Sequence, residues 1–213
     1  LKLPNNLSYE EATLIEPVGC CVRAQKKCKI QSGDSVAVVG AGPSGLIHVI
    51  LARIAGAGQI VVSDFVDYRL EAAKRFGADL VVNPQRRNLN RRVREATVGR
   101  GADVVIVTAP SVKALSEGVK ICRGGGTLCL FAPTQPSEYA HIRPHRLFFS
   151  EINVVPSYST SHVETREALE LLGSGKIRAE ELITHRFPLY RVREAFKTAA
   201  EDKDCLKVVV TNP

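Results

Sequence analysis

Short apolar runs alternate with longer segments of helical periodicity over most of the chain. The residues from Val36 to Val39 are all apolar, which is typical of a strand buried on both faces of a parallel sheet. In the next segment, apolar residues fall on one helical face at Ile47, Ile50, Leu51 and Ile54. Because this alternation continues to residue 155, the pattern predicts an α/β fold with a doubly wound, parallel, six-stranded sheet. The predicted strands are residues 36–39, 60–63, 79–82, 103–107, 127–131 and 152–155.

The two ends of the chain have a different pattern. Before the first strand, Ser8 and Glu11 have the spacing of a capping box, and Glu16-Pro17 is expected to interrupt the helical segments. Beyond residue 160, a second capping box at Ser161 and Glu164 begins a helix, which leads to a strand, a helix and a last strand that do not continue the alternation. We therefore expect a helical lead-in (1–30), a nucleotide-binding domain (31–160) and a C-terminal return to a second, mostly β, domain (161–213).

Three glycines in the spacing G-x-G-x-x-G join the first predicted strand to its helix. Gly40 permits a tight turn, Gly42 lets backbone N–H groups approach a diphosphate, and Gly45 lets the helix lie close to the strand. Pro43 and Ser44 begin the helix, whose unpaired N–H groups and dipole attract an anion. The motif predicts a Rossmann-type dinucleotide site, and a tight turn without any ligand is the alternative.

The second predicted strand ends in Asp64, nineteen residues after Gly45. A carboxylate at that spacing accepts hydrogen bonds from the ribose hydroxyls of an adenosine. A 2′-phosphate would meet the like charge of Asp64, which favours NAD over NADP. Arg69 could instead bind such a phosphate or stack on the adenine. We expect Asp64 to dominate because it lies at the ribose itself.

The composition narrows the range of partners. With 45% apolar and 24% charged residues, and no apolar run long enough to span a membrane, the chain is expected to be an ordinary globular protein. Six arginines between Arg86 and Arg100 carry much of the net charge of +7, but no aromatic residue lies among them. A solvated helix face is therefore favoured over a nucleic-acid interface.

Six cysteines without a C-x-x-C pair suggest reduced thiols in a cytoplasmic protein. A chain that begins at Leu1 and lacks methionine is expected to be part of a longer protein.

Several segments occur together in one order: Ile15-Glu16-Pro17, GAGPSG, VVSD, RGGGTL, and ITHRFPL followed by EAF. In this order the whole chain resembles the zinc-dependent medium-chain alcohol dehydrogenases, especially their sorbitol (polyol) and threonine dehydrogenase branch. The resemblance implies an oxidoreductase that transfers hydride from a secondary alcohol or polyol to NAD, assisted by zinc. It also implies a homodimer or tetramer, formed through the uncharged last strand at Ile152–Ser159.

The resemblance also implies roles for particular residues. Family members hold the nicotinamide ribose and carboxamide at positions that match Thr108, Ala109, Phe131, Ala132 and Pro133. Ser157 stands where the polyol branch often has an arginine near the cofactor, and Glu16 matches a glutamate at the catalytic zinc, as a direct or water-mediated ligand. The family's Cys and His zinc ligands have no counterpart in this sequence. We therefore expect the chain alone to bind a dinucleotide, to contain no catalytic residue and to oxidise no alcohol.

Two other classes of function remain open. A non-catalytic domain that senses NAD would have the same glycine loop and Asp64, without needing Glu16 or the C-terminal segment. A methyltransferase binds S-adenosylmethionine with a similar loop, although its sheet usually ends with an antiparallel strand. The histidines are expected to be structural: His48 in the core, and His141 and His145 in an irregular surface loop over residues 132–149.

Overall fold

The computed structural model describes residues 1–212 and divides into two units. The sheet unit is Arg23–Tyr158, and the terminal unit combines residues 1–22 with the chain from Ser159 onward. The helices are α1 Tyr9–Ala12, α2 Ile15–Cys28, α3 Pro43–Ile54, α4 Asp67–Arg75, α5 Leu89–Ala96, α6 Val112–Ile121, α7 Pro144–Phe149, α8 His162–Gly173, α9 Ala179–Leu182 and α10 Val192–Glu201. The strands are β1 Ser35–Val39, β2 Gln59–Ser63, β3 Leu80–Val82, β4 Ala102–Val107, β5 Cys122–Leu130, β6 Asn153–Pro156, β7 Ile183–Pro188 and β8 Lys207–Thr211.

The sheet unit contains six strands in the order β3-β2-β1-β4-β5-β6, and every neighbouring pair is parallel. The doubly wound fold predicted from the apolar runs is therefore confirmed. The chain moves outward from β1 to β3 and then returns to the other side of β1 to form β4. This reversal places a crevice at the carboxyl ends of β1 and β4, where open α/β sheets bind their ligands.

The central strands are apolar because both faces of the sheet are covered. Every residue of β1 and of β4 is buried. On one face, the side chains of Ala37, Val105 and Leu128 pack in one cluster with residues of α5 and α6, such as Val93 and Val119. Burial of an aliphatic side chain contributes about 1.5–3 kcal/mol each, so this core holds the ends of the central strands in place.

Two helix boundaries differ from the sequence-based expectation. Pro17 does not interrupt the chain, because it lies in the first turn of α2, where a backbone N–H has no intrahelical partner. Pro144 likewise begins α7, so the prediction of irregular structure through residue 149 was wrong for this segment. His145 lies in this helix, exposed, with its ring 4.4 Å from that of Phe149.

The terminal unit has its own local order. Both predicted capping boxes are present, with Ser8 and Glu11 before α1 and Ser161 and Glu164 before α8. Strands β7 and β8 form a two-stranded parallel sheet joined through α10. Arg186 donates to the carboxylate of Glu10 at 2.6 Å, which links the two ends of the chain within this unit. None of the helices among residues 1–212 has both the length and the apolar character needed to cross a membrane.

Candidate functional site

The turn after β1 needs a glycine at position 40. Gly40 has a φ of +109°, and an added Cβ would lie 2.6 Å from Oγ1 of Thr108. Its N–H donates to the carbonyl of Ser63 at 2.8 Å, and its carbonyl accepts from the Thr108 hydroxyl at 2.8 Å. These bonds fix the turn against the ends of β2 and β4.

The other two glycines of the motif differ in what surrounds them. A Cβ on Gly45 would lie 2.0 Å from the carbonyl oxygen of Gly40, so close packing of α3 on the turn requires this glycine. Gly42 has an ordinary φ of −65°, and apart from its two chain neighbours a Cβ there would meet no atom of the described residues within 4 Å. No side chain caps α3 at this point. The fold therefore explains Gly40 and Gly45, whereas Gly42 leaves open space at the positive end of a helix dipole, which suits an anion.

Asp64 lies at the end of β2 and is hydrogen-bonded to the glycine loop, residues 40–45. Its Oδ2 accepts a hydrogen bond from the N–H of Ala41 at 2.7 Å, and its Oδ1 accepts one from the N–H of Val66 at 2.9 Å. The residue is half-buried. Because each carboxylate oxygen can accept a second bond, Asp64 retains acceptor capacity for the hydroxyls of a ribose.

A first cleft of about 590 Å³ lies at the carboxyl ends of the strands on the β2 side. Its lining includes Gly40, Asp64, Phe65, Asn88, Ala109 and Ser111. A second cleft of about 290 Å³ lies at the ends of β4, β5 and β6. Its lining includes Ala109, Ser111, Phe131, Ala132, Pro133 and Ser157. Because Ala109 and Ser111 line both, the two clefts adjoin at the end of β4, where the strand order reverses.

Not every residue predicted for the site lines a cleft. Thr108 donates its hydroxyl to Gly40 and so supports the loop from behind. The residues at the start of α3 (Gly42, Pro43, Ser44 and Gly45) and Arg69 of α4 line neither cleft. Ser157 does line the second cleft, and its buried Oγ has no hydrogen-bond partner among the described residues.

Several residues that line the clefts were not predicted from the sequence. Phe65 directly follows Asp64, and Ser111 caps α6 after β4, so both stand just beyond a strand's carboxyl end. Asn88 caps α5, and Lys113 and Glu117 lie on α6. The rule that ligands bind beyond the carboxyl ends of strands could have identified Phe65 and Ser111. Lys113 and Glu117 could be assigned to the cleft only from the way α6 packs on the sheet.

The described residues do not form a complete zinc site. Among residues 1–212, no three His, Cys, Asp or Glu side chains come together as metal ligands. Glu16 lies exposed in the first turn of α2 and accepts a hydrogen bond from Sγ of Cys20 at 3.0 Å. Cys21 is buried, and burial raises the pKa of its thiol well above the usual value. Glu16 and Cys20 are therefore at most two of the four ligands that a zinc ion takes.

The strand order, the glycine turn after β1 and the clefts at the switch point define a Rossmann-type α/β domain. Residues 43–174 match the family model described as zinc-binding dehydrogenase, and the chain belongs to this family.

Several proteins of similar sequence are named as dehydrogenases. Sorbitol dehydrogenase of Bacillus subtilis (strain 168) is 34% identical over 209 residues, an alignment that covers 98% of this chain and 59% of the relative. D-arabitol-phosphate dehydrogenase of Enterococcus avium is 32% identical over 216 residues, covering 99% and 60%. This chain thus spans about 60% of the length of these relatives.

Solved structures share the fold at similar coverage. Alcohol dehydrogenase from Thermus sp. ATN1 has a TM-score of 0.93 and 28% identity, covering 100% of this chain and 62% of its own. A zinc-binding dehydrogenase from Sinorhizobium meliloti 1021 bound to NADP has a TM-score of 0.91 and 27% identity, covering 99% and 61%. A short chain alcohol dehydrogenase from E. coli CFT073, complexed with the cofactor NADH, has the same TM-score and identity and covers 99% and 62%.

Proposed function

We propose that this chain is the nucleotide-binding part of a dehydrogenase that transfers hydride from a secondary alcohol or polyol to NAD. The proposal rests on the pair of adjoining clefts at the point where the strand order of the sheet reverses, with the glycine loop beside them. A dinucleotide has two nucleoside halves joined by a diphosphate. Two clefts that adjoin at Ala109 and Ser111 suit that shape.

In this proposal the adenosine half lies in the first cleft, where Asp64 accepts hydrogen bonds from the ribose. The diphosphate lies at the start of α3, in the open space beside Gly42. Pro43 and Ser44 begin that helix. Arg69 lies on the next helix and lines neither cleft, so its guanidinium stacks on the adenine only if the bound base extends beyond the first cleft.

The nicotinamide half lies in the second cleft, between Phe131, Ala132 and Pro133 on one side and Ser157 on the other. The unpaired hydroxyl of Ser157 supports this assignment, because a buried polar group without a partner is costly. A hydrogen bond to the bound cofactor would satisfy it.

The relatives support the choice of substrate and cofactor. Sorbitol and arabitol-phosphate are polyols, and the similar structures carry NADH or NADP. For this chain we propose NAD, because the carboxylate of Asp64 lies in the cleft where a 2′-phosphate would have to fit. Zinc would act as a Lewis acid on the alcohol oxygen in the longer protein, with Glu16 near the metal and the other ligands outside the described residues.

We further propose that residues 31–160 form the nucleotide-binding domain, while 1–30 and 161–213 belong to the catalytic domain. A homodimer would form through the segment Ile152–Ser159, because β6 is the last strand of the sheet, is largely exposed and carries no charge. None of the six cysteines, all of which lie among the described residues, forms a disulfide, and this is compatible with a cytoplasmic location.

The test is titration of the purified chain with NADH, NADPH and S-adenosylmethionine. We expect NADH to bind most tightly. The variant Ala109→Leu should weaken NADH binding more than tenfold, because its larger side chain would fill space that both clefts share. Ala55→Leu, on an exposed alanine after α3, is the matched control and should bind like the wild type. Tighter binding of S-adenosylmethionine would favour a methyltransferase, against which the all-parallel sheet argues.

A further inference from the structure

An imidazole lies buried behind the second cleft, within the sheet unit. His48, on α3, has no exposed surface, as the apolar pattern of its helix predicted. The side-chain amide nitrogen of Gln25 donates to the backbone carbonyl of His48 at 2.8 Å and lies 3.3 Å from Nδ1 of its ring. Because the amide group is a donor, Nδ1 must act as the acceptor. The ring is therefore neutral and carries its proton on Nε2.

Burial keeps the ring in this state. It lowers the pKa of His48 to about 3, so the imidazole stays uncharged at neutral pH. Its Nε2 has no hydrogen-bond partner among the described residues. A leucine would fill a similar volume without burying an N–H group, so the histidine is not what simple packing of this core would require.

The ring of His48 does have one aromatic neighbour. It meets the ring of Phe131 in a T-shaped arrangement, with the two centroids 4.6 Å apart and the planes at 89°. An N–H directed at the face of an aromatic ring is a recognised weak hydrogen bond, and it would satisfy Nε2. Phe131 follows β5 and lines the second cleft, whereas His48 lines neither cleft.

We propose that His48 is a positioning residue for the second cleft. Its Nε2–H holds the ring of Phe131, Gln25 fixes the tautomer that makes this possible, and the ring of Phe131 contacts the nicotinamide. Because it assigns the nicotinamide to this cleft, the proposal rests on the proposed function. It adds that affinity for the nicotinamide depends on a residue that the cofactor does not touch.

The experiment compares two ligands that differ only in the nicotinamide. Dissociation constants for NADH and for ADP-ribose are measured on the wild type and on His48→Leu. We expect His48→Leu to weaken NADH binding about fivefold or more while ADP-ribose binding changes less than twofold. Leu70→Ala is the control: it removes a buried side chain from α4, which packs on β2 and β3, and should leave the ratio of the two constants unchanged.

Each other outcome is informative. A wild-type chain that binds neither ligand would refute the proposed function itself. If it binds both with equal affinity, nucleotide binding stands but the nicotinamide does not use this cleft, and the proposal fails. The proposal also fails if His48→Leu weakens both ligands equally, because that is the effect of a merely structural role.

A measurement on the wild type covers the case in which His48→Leu does not fold. In NMR spectra of the chain with ¹⁵N-labelled histidine, the ring of His48 should carry its proton on Nε2, with nuclear Overhauser effects to the ring of Phe131. Its ring signals should not titrate between about pH 5 and 8, where an ordinary histidine does. A proton on Nδ1, or no contact with Phe131, would overturn the proposal.

Discussion

Two alanine substitutions three residues apart in the glycine loop should have opposite effects. Gly42→Ala places a methyl group where no described residue other than its two chain neighbours lies within 4 Å, at a φ of −65° that alanine adopts freely. The stiffer unfolded chain stabilises the variant by about 0.4–1 kcal/mol. Alanine is a poorer N-cap than glycine by a similar amount, so the free energy of unfolding should change by less than about 1 kcal/mol. NADH affinity should nevertheless fall at least tenfold, because the methyl group occupies the space that we assign to the diphosphate.

Gly45→Ala should instead destabilise the fold. The added Cβ would lie 2.0 Å from the carbonyl oxygen of Gly40, far inside an ordinary contact. That carbonyl is held by the hydroxyl of Thr108 at 2.8 Å, so relief requires movement of α3 or loss of this bond. Overpacking of this kind costs about 1–3 kcal/mol, and we expect the upper end of that range.

The assays are urea denaturation for stability and fluorescence titration for NADH binding. Gly124→Ala is the matched control, because its Cβ would meet only a carbonyl oxygen at 3.6 Å and the residue is exposed at the opposite end of the sheet from the clefts. If Gly42→Ala binds NADH like the wild type, the diphosphate does not lie beside Gly42. If Gly42→Ala loses as much stability as Gly45→Ala, position 42 does not border open space.

Four further predictions concern the cofactor, the metal, the oligomer and the pH dependence of stability. NADH should bind at least tenfold more tightly than NADPH, equivalent to about 1.4 kcal/mol, and Asp64→Asn should narrow this gap; equal affinities in the wild type would contradict the role of Asp64. Elemental analysis of the purified chain should find no stoichiometric zinc, and no polyol should yield NADH; either zinc at one ion per chain or turnover would refute this. Light scattering at micromolar concentration should give the mass of a dimer, and Val154→Lys, which adds a charge to exposed β6, should give a monomer; a monomeric wild type would exclude the proposed interface. For the buried carboxyl of Asp103, burial raises the pKa, but hydrogen bonds from Ser35 and the ion pair with Arg123 outweigh it, so the folded pKa lies below its usual value. The contribution of the Asp103 carboxylate to stability should be fully present above the unfolded pKa of about 3.9 and lost as the pH falls through the folded pKa. The free energy of unfolding of Asp103→Asn should therefore vary less with pH over that interval than that of the wild type. An unchanged pH dependence would refute this.

The sequence by itself determined the elements and the class of the fold. Apolar runs such as Val36 to Val39 indicated strands buried on both faces, and each of the six strands of the sheet overlaps a predicted strand, although β5 begins at Cys122 rather than at residue 127. The glycine loop and the capping boxes at Ser8 and Ser161 were also readable, because they depend on residues only three to five positions apart. Local steric and hydrogen-bonding rules suffice for such features.

Only the tertiary structure decided how the site is built. The spacing of the three glycines suggested a role for each, but only the structure shows that Gly45 packs against backbone while Gly42 borders open space. Asp64 holds the N–H of Ala41, 23 residues away, and the contact of His48 with Phe131 has no sequence pattern at all. These relations join residues that are distant along the chain. They depend on how the helices lie on the sheet, because packing, unlike periodicity, is set by every element at once.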